Sequence, residues 1–529
     1  MSSILALQVK EGPDLLDANT LEKQAMGAQK GAEGSIFVVY SGFVYDLGDP
    51  DGDISLTAQQ LAKRFQKEGP GMTRGLWGRY SLVAVDMQRG RIYTFQDWLG
   101  GPYPLLVCGR ENGITISDSL PWLLERYDGW TMDDEGAAGF LGEGRLYGSR
   151  TLVKGVYKQP PAHRGVIDVK SGDISFLKAR YQFPKDPVGS VKDYVDAFDR
   201  SLKASIQDDH PLGCALSGGY DSNLSLSRLR EFRKDPITAF TVGGTLGSDE
   251  RPAAMRIARQ YQDVRGVQGE VGPDTLQKFP RIVYQLEGAL YERGVFLQYV
   301  LSQLAVREKV KYLLLSEGAD QVLNPLVRIT QWPKKLKPIR DFRPYDMISL
   351  VVLPKNGLML RDTGVTPRYP YIRERYLRVT RSLYMKNKMF KQYHKAAVLK
   401  TLPEGIAAEL QKIGGATQAM ALFGDTCSFE KFKEKALSLR WHDPSVSVLL
   451  SNKNPMEGKM DRCLKLIYLY LFEQVYIVPK DAQARRAAAE RPLNEYLDQI
   501  AVKQPVPELK THTRNPQKMR ILRMFKRFC

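Results

Sequence analysis

The sequence predicts an α/β protein of two domains, and three observations carry that expectation. A chain of 529 residues exceeds what one hydrophobic core usually serves. Residues 1–185 read as short alternating strands separated by turns. From residue 186 onward apolar strands alternate with helices, the pattern of a parallel sheet covered on both faces.

The first domain contains "SIFVVYSGFVYDL", "RYSLVAVDMQRGRIYTFQDW" and "LLVCGRENGITISD", all alternating or rich in β-branched and aromatic residues. One helical segment, "SLTAQQLAKRFQKEG", interrupts them and stops at Gly69, a favourable helix terminator. The boundary is expected in "RYQFPKDPVGS", where two prolines and a glycine precede the amphipathic helix "VKDYVDAFDRSLKASIQ". In the second domain the strand "LGCAL" leads to the helix "SNLSLSRLREF", and "ITAFTV" leads to "RPAAMRIARQYQ". The helix "FLQYVLSQLAVRE" then leads to the strand "VKYLLLS", and the chain from about 370 reads as largely helical.

Composition is that of a folded protein, with 43% hydrophobic and 26% charged residues. No apolar run reaches membrane-spanning length and no charged-then-apolar leader is visible, so a cytoplasmic protein without a membrane span is expected. Cys108, Cys214, Cys427, Cys463 and Cys529 are scattered and odd in number, which speaks against a disulfide framework or a structural zinc site. The 77 basic against 59 acidic residues leave a charge of +18, attractive to anions of several classes. The basic run at 510–529 reads as a solvated tail, and no RNA-binding pattern accompanies it, so nucleic acid is not expected as a partner.

The informative stretch is "GCALSGGYDSNLSLSRL", residues 213–229. Ser217, Gly218 and Gly219 stand at the carboxyl end of a strand and open a helix. Glycines let the backbone approach a ligand, and the helix start offers unpaired N–H groups. With the Ser217 and Ser222 hydroxyls this makes a cradle for phosphate oxygens. Asp221 would repel a phosphate directly; an acid in such a cradle makes sense if it holds Mg²⁺. A bare Ser-Gly-Gly is compatible with an ordinary serine-capped turn, but Ser-Gly-Gly-x-Asp-Ser after an apolar strand favours a nucleotide. The spacing is neither that of a Walker loop nor of a dinucleotide fingerprint.

"SGGYDS" resembles the pyrophosphate loop of the ATP pyrophosphatases, and the neighbouring motifs narrow the resemblance to the asparagine synthetase and β-lactam synthetase group. "TAFTVGG" followed by "SDERPAAMRIARQY" is similar to that group's adenosine-binding strand and following helix, which brings in Val242 and Gly243. "LLLSEGADQVL" resembles its second motif, with Gly318 beside the acids, and "TLPEGIAAELQK" the segment that delivers a lysine. The resemblance covers most of the chain. It implies a degenerate glutaminase-like (Ntn) αββα antiparallel sandwich over 1–185 and an ATP-pyrophosphatase, asparagine synthetase-like domain over 186–529.

The resemblance further implies ATP and Mg²⁺ as cofactors, the metal held between Asp221 and Asp320, and the pyrophosphate held by Ser217, Gly218, Gly219 and Ser222. Lys412 is implied as the residue that neutralises charge at the adenylate, with a solvated helix lysine as the alternative. Glu317 stands where asparagine synthetases carry a glutamate, β-lactam synthetases a tyrosine and some lasso cyclases a histidine. A carboxylate there is a candidate proton acceptor for an incoming amine; a surface glutamate at a strand end is the alternative. Gln321 replaces the usual following acid, so the second motif is altered beyond Asp320.

The N-terminal domain departs from glutamine-hydrolysing relatives. Ser41, Phe43, Thr57 and Gln59 stand in for the residues that grip glutamine, and the opening Met-Ser-Ser is expected to expose Ser2 where a glutaminase needs cysteine. The amine is then expected to come from elsewhere. The first reading is internal amide formation on a peptide, as in the lasso peptide macrolactam cyclases, with a leader protease or precursor-recognition protein as partner. The second is condensation of a small molecule's carboxylate with ammonia or an amine, like asparagine or β-lactam synthetases. The third, a non-catalytic scaffold, predicts loss of the loop glycines or of Asp221 or Asp320, and all are present. The basic stretch 332–346 is a candidate guide for an acidic peptide, or a solvated loop.

Overall fold

The computed structural model describes residues 4–501 apart from 10–17, 27–28, 47–54, 102, 111–112, 180, 182–184, 207–209, 245–248, 324–344, 384–390, 404, 411–421, 424 and 440–455. Two antiparallel sheets come first in the chain. One runs Ile174–Lys178, His163–Asp168, Arg91–Gln96, Leu76–Asp86, Ile36–Asp46, Gln29–Glu33. The other runs Ala25–Met26, Ala6–Val9, Gly113–Ser117, Leu106–Arg110, Val156–Lys158.

The alternating sequence of Ile36–Asp46 explains how these sheets stack, because successive side chains leave opposite faces. Phe37 and Val39 meet Leu5, Leu7, Ile114 and Ile116 of the other sheet. Val38 and Tyr40 meet Leu61 and Phe65 of the helix Ala58–Glu68. That helix begins with a reciprocal cap between Thr57 and Gln60 and ends at Gly69, φ 58°. On the far side, Leu106 and Cys108 join a core with Phe140, Phe279 and Tyr468, so helices cover this face too.

The third sheet is parallel throughout, in the order Val264–Val271, Ile237–Gly244, Leu212–Ala215, Tyr312–Leu314, Thr366–Arg368. The three expected strands lie at its centre. The two edges escaped the sequence pattern: "VRGVQGEV" carries two glycines and two charges, and "TPR" carries a proline, tolerated because it sits at an edge. Leu212–Ala215 comes first in the chain yet lies in the middle. Later strands were added to one side and then to the other, so the order reverses between Leu212–Ala215 and Tyr312–Leu314. In sheets of this kind such a reversal is where loops leaving the carboxyl ends of the strands diverge and ligands bind.

Beyond residue 373 every regular element among the described residues is helical. Tyr45, Trp77 and Trp98 pack with Tyr194, Phe198 and Tyr376, so residues of the antiparallel sheets share a core with the parallel-sheet region. The Tyr45 hydroxyl donates to Glu374 across that contact. No helix among the described residues is long and apolar enough to cross a membrane.

Candidate active site

The loop after Leu212–Ala215 is braced from within. Ser217 N donates to Ser222 Oγ at 3.0 Å, and Gly219 N donates to Ser217 Oγ at 3.2 Å. Asn223 Nδ2 donates to the carbonyls of Ser217 and Gly219 at 3.0 and 2.8 Å. Ser222 is buried and spends its hydroxyl on this bracing. Gly219 occupies the cap position of the helix Tyr220–Phe232 and supplies no side-chain cap to the first-turn N–H groups. Its φ of −89° is ordinary, so the glycine matters for its missing side chain rather than for backbone freedom.

The second loop follows Tyr312–Leu314, the neighbouring strand. Gly318 adopts φ +95°, and a Cβ there would stand 2.5 Å from Ile372 Cγ2, so only glycine fits. Ser316 Oγ and Ser225 Oγ lie 2.8 Å apart and tie the second loop to the helix Tyr220–Phe232. Val242 and Gly243 lie at the carboxyl end of Ile237–Gly244, on the other side of the first loop. The Asp249–Arg251 ion pair, 2.9 Å, leans over Gly243, where a Cβ would meet Asp249 Oδ1 at 2.5 Å.

Between the loops stands a residue the sequence reasoning missed. Lys391 Nζ is 2.9 and 3.1 Å from the Asp221 oxygens and 2.5 Å from Asp320 Oδ1. His394 Nε2 is 2.8 Å from Asp221 Oδ1, and its Nδ1 is 2.9 Å from Tyr194 OH. Burial alone favours a protonated Asp221, but the hydrogen bond and charge of His394 and the Lys391 ammonium hold it well below the usual carboxylate range. Burial likewise disfavours the Lys391 charge, yet the two aspartates raise its pKa. Linear pattern offered little help: Lys386, Lys388, Lys391 and Lys395 crowd the same stretch. The available signal was electrostatic, since two acids converging on one crevice call for a cation.

Asp221 and Asp320 present carboxylate oxygens, the donor chemistry that suits Mg²⁺, an ion usually held by one or two carboxylates together with substrate phosphates. Among the described residues no three His, Cys, Asp or Glu side chains are grouped so as to hold a metal ion.

Glu317 is tied down. Its Oε1 lies 3.0 Å from Lys355 Nζ, and its Oε2 accepts from Asn356 Nδ2 at 3.0 Å. Lys355 also donates to Glu292 at 2.8 Å. Burial works against the Lys355 charge, but the two glutamates raise its pKa. Lys355, Asn356 and Glu292 were not found from sequence.

Other expectations fall elsewhere. Lys412, Ser2, residues 332–344 of the basic stretch and the basic tail 510–529 lie outside the described residues. Of the positions aligned with the glutamine grip, Thr57 caps a helix, Gln59 donates to Glu33 at 2.6 Å, and the Phe43 ring lies against Tyr45.

The asparagine synthase family profile matches residues 193–343. Glutamine-hydrolysing asparagine synthetase 1 of Bacillus subtilis (strain 168) is 26% identical over 371 residues, which cover 64% of this chain and 56% of that protein. Asparagine synthetase B of Escherichia coli (strain K12), also glutamine-hydrolysing, is 20% identical over 345 residues, 61% of this chain and 57% of that one. The chain thus aligns with little more than half the length of these relatives. Among solved structures, the U34-tRNA thiolase NcsA of Methanococcus maripaludis overlaps 65% of this chain and 89% of its own, at 10% identity and a TM-score of 0.26, too loose to define a shared fold.

Proposed function

We propose that this chain is an ATP-dependent, AMP-forming carbon–nitrogen ligase that activates a carboxylate as an acyl-adenylate and closes an amide. The observation that carries the reading is the Asp221–Lys391–Asp320 bridge, set at the point where the strand order of the parallel sheet reverses. Similarity to asparagine synthetases supports the same chemistry.

In this reading a substrate carboxylate oxygen attacks the α-phosphorus of ATP, and the bond to the bridging oxygen breaks to release pyrophosphate. The Gly218 N–H and the first-turn N–H groups of the helix Tyr220–Phe232 receive the leaving phosphates, in a loop whose shape Ser217, Gly219 and Ser222 hold by bonding to one another. Asp221 and Asp320 would hold Mg²⁺, which when bound would offset phosphate charge. Lys391 contributes a fixed positive charge at the same place. An amine nitrogen then attacks the acyl carbon, the acyl C–O bond breaks, and AMP departs. Glu317 accepts the amine proton, and Lys355 with Asn356 fixes the direction of its carboxylate.

The amine is proposed to be internal to a peptide, making the enzyme a macrolactam-forming, lasso-type cyclase with a degenerate glutaminase domain. Support comes from Thr57 and Gln59, which stand where relatives grip glutamine and here serve a helix cap and a contact with Glu33. An ammonia- or amine-dependent reaction on a small molecule is the second reading, favoured by a glutamate at position 317. Mass spectrometry of candidate substrates with ATP and Mg²⁺ separates them. Loss of one water without added ammonia marks an internal amide, whereas dependence on added amine marks the second reading. Glutamate released from glutamine would overturn the degenerate assignment, and the absence of AMP with every carboxylate tested would overturn the ligase reading.

A further inference from the structure

Asp221 is held from behind by a chain of buried groups that the reaction itself does not require. His394 and Tyr194 are 1% and 0% exposed, and Tyr376 is also fully enclosed. The Tyr194 hydroxyl contacts the Tyr376 hydroxyl on one side and His394 Nδ1 on the other. The opposite ring nitrogen, Nε2, faces Asp221 Oδ1 at 2.8 Å. The contact sets an imidazole nitrogen against a carboxylate oxygen, which only accepts. Tyr371 adds a fourth support, its hydroxyl donating to the Asp221 backbone carbonyl at 2.7 Å.

The two Asp221 oxygens are consequently unequal. Oδ1 receives both His394 and Lys391, whereas Oδ2 receives Lys391 alone, at 3.1 Å. A carboxylate on an unsupported side chain rotates between equivalent orientations. Here the imidazole pins one oxygen, and the packed tyrosines pin the imidazole.

We propose that His394 is a positioning residue that fixes the orientation of the Asp221 carboxylate, with Tyr194 and Tyr376 as its anchor. The inference rests on the reading of Asp221 as the metal-holding acid. Groups that support a metal-binding side chain from behind typically affect metal affinity by about 10- to 100-fold.

The test has a metal-free and a metal-dependent arm. In the unliganded protein, ¹⁵N spectra of histidine-labelled enzyme, assigned with His394→Gln, show a protonated Nε2 at His394, and Tyr194→Phe shifts that signal. An unprotonated Nε2 overturns the proposal. ATP binding is then titrated with Mg²⁺ by calorimetry. His394→Leu is expected to raise the Mg²⁺ concentration for half-maximal binding by about 10- to 100-fold. Metal-free ATP binding changes little, and His394→Gln, which returns a donor at the Nε2 position, restores most of the Mg²⁺ response. An unchanged Mg²⁺ requirement in His394→Leu overturns the proposal. Asp221→Asn separates the two layers. If it abolishes Mg²⁺-dependent binding while His394→Leu does nothing, only the positioning role fails. If Asp221→Asn is also without effect, the metal reading fails with it.

Discussion

The Lys391 ammonium lies 2.5 Å from Asp320 Oδ1, joining a helix beyond residue 391 to a loop that leaves the parallel sheet at residue 315. The same nitrogen holds Asp221, so one cation neutralises two acids delivered by adjacent strands. Removing it leaves those acids facing each other. Lys391→Met is expected to lower the unfolding free energy by about 3 kcal/mol, the scale for breaking a largely buried ion pair. AMP formation is expected to fall by at least about 10²-fold. Chemical denaturation and an AMP assay check the two effects, and a variant as active as wild type would remove Lys391 from the reaction.

Asp221→Ala and Asp320→Ala should each abolish substrate-dependent pyrophosphate release while the circular dichroism spectrum is retained. Each change leaves Lys391 with its other carboxylate, so the ammonium is not stranded. Continued AMP production in either variant refutes the assignment of these acids to the nucleotide site.

Glu317→Gln distinguishes the two half-reactions. The amide keeps the shape of the side chain but cannot take a proton, so ATP–pyrophosphate exchange should persist while amide formation drops by about 10²- to 10⁴-fold. Equal loss of both steps would place Glu317 in adenylation or in the architecture around Lys355.

Asp118 gives a pH-dependent signature away from the candidate site. It is 1% exposed, and burial pushes its carboxyl up to about 7 despite the nearby Arg361 guanidinium. The native pKa therefore lies above the unfolded value of 3.8, so the folded chain binds more protons between these limits. The stabilising contribution is complete below about pH 4 and is lost as pH rises through 7. Asp118→Asn should gain stability relative to wild type across that window, by up to about 1.4 kcal/mol per pH unit, and level off above it. Urea melts of both proteins from pH 4 to 8 check this; parallel curves would show that Asp118 is ionised throughout.

Local chemistry made much of the fold legible. Gly69 marks a helix end because a glycine there satisfies it whatever the helix packs against, whereas the Thr57 cap at the other end came from the structure. The apolar runs around Cys214, Phe240 and Leu313 require burial on two faces and therefore a covered parallel sheet. The edge strands were harder, because an edge tolerates Pro367 and the glycines of "VRGVQGEV", which read locally as loop.

By itself the sequence determined that Ser217, Gly218, Gly219 and Asp221 occupy the start of a helix after a buried strand, since capping, glycine content and apolar runs act between near neighbours. Only the tertiary structure decided that Lys391 meets Asp221 from 170 residues away, that His394 and Tyr194 stand behind that acid, and that Lys355 fixes Glu317. Those pairings depend on strand order and on which helix covers which loop. A charge finds its partner by proximity in space, and the chain reveals that proximity only once the sheet has been assembled.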